Sequence, residues 1–166
     1  MSDSPDPRRN FRSPSRIVPF DRLVNPDANE ELPPFLTSHP GSASGFMMMQ
    51  IVAASLLNEA KVLAHPASID NIPTDGGKED HVSMGMTAAI KLRSIVELSE
   101  MTTAIELICA AEGLEYRAPL QPGRGVKRAV EIVRRDVPRL TIDRSMSAEI
   151  ETVARAIRDE QFDELV

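Results

Sequence analysis

The residues best equipped for chemistry gather in one polar stretch, His65–Met86, HPASIDNIPTDGGKEDHVSMGM. Pro66, Pro73 and the Gly76-Gly77 pair break it, and Glu79, Asp80 and His81 follow, with Asp75 and Lys78 just before them. A connection of this length between helices is usually functional or disordered. Its carboxylates fall at the predicted mouth of the next helix, where free backbone N–H groups and the helix dipole hold an anion. On these grounds alone Glu79 reads as a cap on that helix. Lys78 can pair with Glu79 or Asp75, and His65, ahead of Pro66, reads as a hydrogen-bond donor that anchors the loop. Other chemistries have little support. His39, His65 and His81 lack metal-site spacing, and Gly123-Arg124-Gly125 follows no strand that would make it a phosphate loop. Cys109, inside Glu106-Leu-Ile-Cys-Ala-Ala, reads as a buried, inert thiol.

The elements that must position this loop are helical. Ser44–Leu63 carries Met47, Ile51, Ala54, Leu57 and Val62 near helical spacing, with Ser42 or Ser44 as its predicted cap. Asp80–Gly113 reads as a second helix, on the order of 50 Å long at a rise of about 1.5 Å per residue, with Gly113 as its terminator. Two shorter helices are predicted at Gly125–Asp136, closed by Pro138, and at Ser147–Gln161, capped by Ser147. No period-2 pattern persists, so the fold class is all-α. Residues 1–36 read as a Pro-rich N-terminal arm, disordered over Met1–Arg16 and irregular beyond, and 37–166 as the helical domain.

Composition narrows the partners. A net charge of −6 argues against nucleic acid. No apolar run is long enough to cross a bilayer, and Met1–Arg16 has no signal-like apolar core, so the expected location is the cytoplasm. Both long helices are apolar around most of their girth, yet the chain has few other helices to wrap them. Association with copies of itself or with a different chain is expected.

Several ordered motifs resemble the C-terminal part of histidine ammonia-lyase, in the ammonia-lyase and aminomutase family that uses a methylidene-imidazolone prosthetic group. They are Leu32-Pro33-Pro34-Phe35-Leu36, Ser44-Gly45-Phe46-Met47 with Gln50, Leu63-Ala64-His65-Pro66-Ala67-Ser68, Glu79-Asp80-His81-Val82-Ser83-Met84-Gly85, Ala104-Ile105-Glu106-Leu107, and Asp143-Arg144 with Ile150-Glu151. The resemblance implies that Glu79 reaches the substrate side chain. A carboxylate can accept a hydrogen bond from an imidazole N–H and gains nothing beside a bare phenyl ring, so the Glu-Asp-His form leans towards histidine. Met47, where the phenylalanine branch tends to carry Lys, leans the same way. Asp75 is ambiguous, and Lys78 departs from the uncharged residue that histidine enzymes often have there. Met47, Asp75 and Lys78 are the implied pocket-shaping residues.

Ala43-Ser44-Gly45 is the tripeptide from which the family builds its electrophile. Here it runs into Phe46-Met47-Met48-Met49 and, in the family register, is the lead-in to a helix, so no prosthetic group is expected to form in this chain. The resemblance implies the C-terminal subunit of a split enzyme that eliminates ammonia from L-histidine to give urocanate. A separate N-terminal ammonia-lyase subunit would supply the methylidene-imidazolone group. The alternatives are a non-catalytic helical module that oligomerises or regulates, and a subunit of an arylalanine ammonia-lyase or aminomutase.

Overall fold

The structure, a computed structural model, describes residues 17–29, 32–70, 72–163 and 165. Five α-helices occur among them: α1 (Ile17–Val24), α2 (Met47–Leu63), α3 (Gly85–Glu115), α4 (Arg124–Asp136) and α5 (Ser147–Arg158). Single 3₁₀ turns stand at Pro34–Leu36 and Asp75–Gly77. No strand occurs among the described residues, in keeping with the all-α expectation. No helix among them is long and apolar enough to cross a membrane.

α3 is the spine, and α1, α2, α4 and α5 all pack on it. Its fully buried residues, Thr102, Ala104, Ile105, Ile108, Cys109, Ala111, Glu112 and Gly113, lie in its C-terminal half. There they meet Phe20 and Val24 of α1, Leu36, Phe46, Met49 and Ala53 from the approach to α2 and its first turns, and Val133, Ile150 and Val153 from α4 and α5. The other half of α3 and the end of α2 behave differently. They run back to back, with Leu63–Ala67 facing Ala88–Ile95 across a small cleft, yet Val62 (67% exposed), Met86 (76%), Ile90 and Leu92 remain open to solvent. These large apolar side chains stand exposed on the half of the helix pair that lies away from the core.

Several boundaries differ from the sequence expectation. α1 is helical where an irregular segment is predicted. Pro19 falls in its first turn, where a missing N–H is tolerated, and Phe20 and Val24 are core residues. Phe20, Val24 and Leu36 of the expected arm therefore pack into the helical body. Met1–Arg16, predicted to be disordered, lies outside the described residues. α2 begins at Met47, after a reversal at Gly45 (φ +55°), and neither Ser42 nor Ser44 caps it. α3 begins at Gly85, not Asp80, because Met84 stands in the left-handed region ahead of it and Glu79 is committed to a hairpin. Gly113 does not end α3. It lies buried beneath Leu23, Leu32 and Leu36, and the helix continues to Glu115. α4 starts one residue early, at Arg124. α5 stops at Arg158, with Met146 rather than Ser147 at its cap position.

Candidate functional site

The loop between α2 and α3 folds into a tight hairpin at its acidic end. Thr74 N donates to Glu79 O at 2.8 Å, and Glu79 N donates back to Thr74 O at 3.3 Å. Inside, Gly77 N donates to Thr74 O and Lys78 N to Asp75 O. Asp75, Gly76 and Gly77 all take positive φ (50°, 63° and 86°), a run for which the two glycines are suited and which Asp tolerates better than most other residues. Non-glycine strain of this kind collects at functional sites. Thr74 Oγ1 donates to Glu79 Oε2 at 2.7 Å, which fixes the carboxylate at the base of the hairpin while Glu79 stays exposed. A carboxylate offers about four lone-pair sites, so one such bond leaves capacity for a further donor. At the loop's other end, the anchor is the backbone carbonyl of His65, which accepts from Lys91 Nζ.

The hairpin thus brings Asp75, Lys78 and Glu79 together. Glu79 is not a cap for α3, since five residues separate it from Gly85 and α3 has no acidic residue in its first turn. Lys78 forms no ion pair with Asp75 or Glu79 among the described residues, so it does not withhold either carboxylate. Met47 stands apart. It opens α2, whereas the loop leaves from Leu63 at the far end of that helix, about 24 Å away at 1.5 Å per residue.

The lead-in to α2 forms a second cluster, whose partner is distant in sequence. Asp143 accepts from Ser44 N (2.7 Å, Oδ2) and Gly45 N (3.0 Å, Oδ1). Donation from Ser44, then from Gly45, holds the Asp143 carboxyl below the usual carboxylate range. A cavity of about 470 Å³ opens beside this contact, between Met48 and Val52 of α2 and Met146 and Ile150 of α5. A third cluster is structural: buried Glu112 receives Arg134 Nη2 at 2.8 Å and Arg139 Nη2 at 3.0 Å, and Glu115 receives Arg134 Nε at 3.1 Å. Arg139 also lies 5.3 Å from the Tyr116 ring centroid. These bonds tie the turn after α4 to α3. Neither cluster was legible in local sequence, because the partners are 98–99 and 19–27 residues apart. Burial, then the nearby Glu112 and Glu106, push the Cys109 thiol well above its ordinary range, so it is an inert core residue. No group of three metal-ligating side chains occurs among the described residues.

Comparison with known proteins gives this geometry its class. The chain is 53% identical to histidine ammonia-lyase of Natranaerobius thermophilus over 138 residues, which are 83% of this chain and 27% of that protein. The crystal structure of histidine ammonia-lyase from Trypanosoma cruzi superposes with a TM-score of 0.82 at 37% identity, covering 87% of this chain and 29% of that one. Tyrosine aminomutase from Streptomyces globisporus also gives 0.82, at 33% identity, over 87% of this chain and 28% of its own. Fold and loop therefore define a part of the helical amino acid lyases and aminomutases. The chain belongs to the aromatic amino acid lyase family, whose model matches residues 18–135. It spans about 27% of the length of the curated relatives it matches.

Ring closure at Ala43-Ser44-Gly45 would compete with contacts that these residues already make. Cyclisation would have to join the Gly45 nitrogen to the Ala43 carbonyl carbon. That nitrogen instead donates to Asp143, and Gly45 is wedged so that even a Cβ would lie 2.5 Å from Phe35 O. These residues are the lead-in to α2.

Proposed function

We propose that this chain forms the C-terminal part of a histidine ammonia-lyase-like assembly that eliminates ammonia from L-histidine to give urocanate. The electrophile, the general base and the carboxylate-binding groups come from a separate N-terminal polypeptide. The observation that carries this reading is the exposed Glu79 carboxylate, fixed by Thr74 at the base of a strained hairpin. It has acceptor capacity left for an imidazole N–H. In this reading Glu79 selects and orients the substrate ring, and the Asp75–Lys78 turn forms the rim above it. Met47 contributes to the pocket wall.

Met47 and the hairpin hang from opposite ends of α2. A pocket using both therefore takes them from different copies of the chain, or takes one of them through a partner's surface. The exposed apolar residues of α2 and α3 support such an assembly, because leaving Val62, Met86, Ile90 and Leu92 in water forfeits about 1.5–3 kcal/mol for each large side chain that could be buried. The likeness to a tyrosine aminomutase supports a second reading, an arylalanine lyase or aminomutase subunit. Against a phenylalanine substrate stands Glu79, which has no donor to meet on a bare phenyl ring, and against the phenylalanine branch as a whole stands Met47.

The test is reconstitution. The chain alone, a polypeptide carrying the N-terminal lyase region alone, and the two together are assayed for urocanate from L-histidine and for the corresponding acrylates from phenylalanine and tyrosine. Urocanate from the mixture only is the expected result. A mixture that binds but turns over neither histidine nor an arylalanine would favour a non-catalytic helical module.

A further inference from the structure

The turn that launches α2 is gripped from far along the chain. α2 starts without a side-chain cap and with no acidic residue in its first turn. Its positive dipole end and the N–H groups just ahead of it favour a negative acceptor. Asp143 provides both oxygens, one to Ser44 N and one to Gly45 N. From the other side, Phe46 N donates to Phe35 O at 2.9 Å, and the Phe46 ring is buried in the core. Phe35 and Leu36 hold left-handed φ values of 53° and 51°, so the surface against which the turn is pressed is itself strained.

Asp143 stands on fixed ground. Its neighbour Arg144 donates to the carbonyls of Pro138 (2.9 Å) and Arg139 (3.3 Å) and pairs with Glu149 at 3.1 Å. Arg139 in turn binds the buried Glu112 of α3. A contiguous series of bonds therefore runs from the spine helix, through the loop before α5, to the residue pair ahead of Met47.

We propose that Asp143 is a positioning residue for the substrate pocket: by clasping the Ser44 and Gly45 amides it fixes the first turn of α2, and with it the place of Met47 in the pocket wall. The proposal rests on the assignment of Met47 to that wall in the proposed function. The downward shift of the Asp143 carboxyl agrees with it, since the two backbone amides that donate to it favour its charged form. Asp143 itself touches no substrate. Its removal acts through α2, by loosening a binding surface rather than by removing a reacting group.

The experiment uses the full chain with Asp143→Ala and Asp143→Asn, the latter keeping one acceptor oxygen for one of the two amides. Hydrogen exchange is followed on peptides covering residues 43–50 and 102–113. In the reconstituted assembly, kcat and KM for L-histidine are measured beside Glu79→Gln. Exchange over 43–50 is expected to quicken about tenfold in Asp143→Ala and less in Asp143→Asn, with 102–113 unchanged. KM should rise about threefold or more with kcat held within about a factor of two, and Asp143→Asn should recover most of the loss. Unchanged exchange overturns the clasp. Faster exchange with KM unmoved, while Glu79→Gln impairs histidine turnover, overturns the positioning role alone. A silent Glu79→Gln variant overturns the proposed function, and the positioning role with it.

Discussion

Glu79→Gln separates substrate recognition from architecture. In the folded chain, Glu79 Oε2 accepts from Thr74 Oγ1 at 2.7 Å, beside the two backbone bonds that close the hairpin. Gln keeps the length of the side chain, and its carbonyl oxygen can take over the Thr74 bond. The hairpin should therefore survive. The bond weakens from charge-assisted to neutral, and for an exposed pair that costs about 1 kcal/mol or less. The group facing the substrate changes more. In the proposed pocket an amide NH₂ would point where the carboxylate oxygen is to accept from the imidazole N–H, and it cannot accept. Loss of a hydrogen bond to a charged acceptor is worth about 1.5–3 kcal/mol, roughly ten- to a hundredfold in kcat/KM for L-histidine. Phenylalanine turnover, where it exists, should be spared or improved, because a neutral amide is cheaper to desolvate beside an apolar ring than a carboxylate. The assay is steady-state kinetics of the reconstituted assembly on both amino acids, with thermal melts as the folding control. Equal losses on both substrates, or a change in histidine turnover under about threefold, would refute the reasoning and leave Glu79 a structural residue of the hairpin.

Four further outcomes are expected. Gly113→Ala should stabilise the protein by about 0.5–1 kcal/mol, because Gly113 is inside a helix and a Cβ would meet only ordinary contacts, the nearest at 3.5 Å from Leu23 Cδ2; a lower denaturation midpoint would contradict this. Gly45→Ala should destabilise it, since φ is +55° and the Cβ would lie 2.5 Å from Phe35 O, and denaturant titration checks both variants. Asp143 is held below the ordinary carboxylate range by the Ser44 and Gly45 amides, so the unfolded chain binds its proton first as pH falls. The stability difference between wild type and Asp143→Asn should therefore be full above the ordinary value of 3.8 and shrink as pH drops through and below it, as read from denaturation midpoints across that range. Finally, Ile90→Glu combined with Val96→Glu, both at exposed positions of α3, should abolish association in sedimentation while leaving the helical circular dichroism intact.

Local pattern carried most of the helices. The 3.6-residue recurrence of Met47, Ile51 and Ala54, and the long apolar course from Ala88 to Cys109, are properties of single segments. The ends were harder, because distant partners decide them. α2 starts at Met47 because Asp143, Phe35 and the reversal at Gly45 hold the three residues before it. Gly113 remains helical because leucines from the N-terminal segment close over it. The same segment looked irregular because its pattern is short and carries Pro19, although its two inward residues, Phe20 and Val24, are spaced i, i+4. At the candidate site, the Gly76-Gly77 pair and the carboxylates marked the loop, but nothing local showed that Thr74 would reach back to Glu79 instead of leaving it to cap α3. The family resemblance implied one pocket for Met47 and Glu79 although the predicted helix Ser44–Leu63 already lay between them, and the structure keeps them at opposite ends of α2.

The central claim is that this chain completes a lyase together with a second polypeptide. It is tested most directly by native mass spectrometry of the tagged chain purified from its own cells, with urocanate formation measured on the same sample. The expected species is a complex that holds the chain intact, without water loss over Ala43–Gly45, and a second polypeptide carrying the dehydrated tripeptide. Activity should reside only in that complex. A folded monomer with no partner, or a dehydrated Ala43–Gly45 peptide in this chain, would contradict the account.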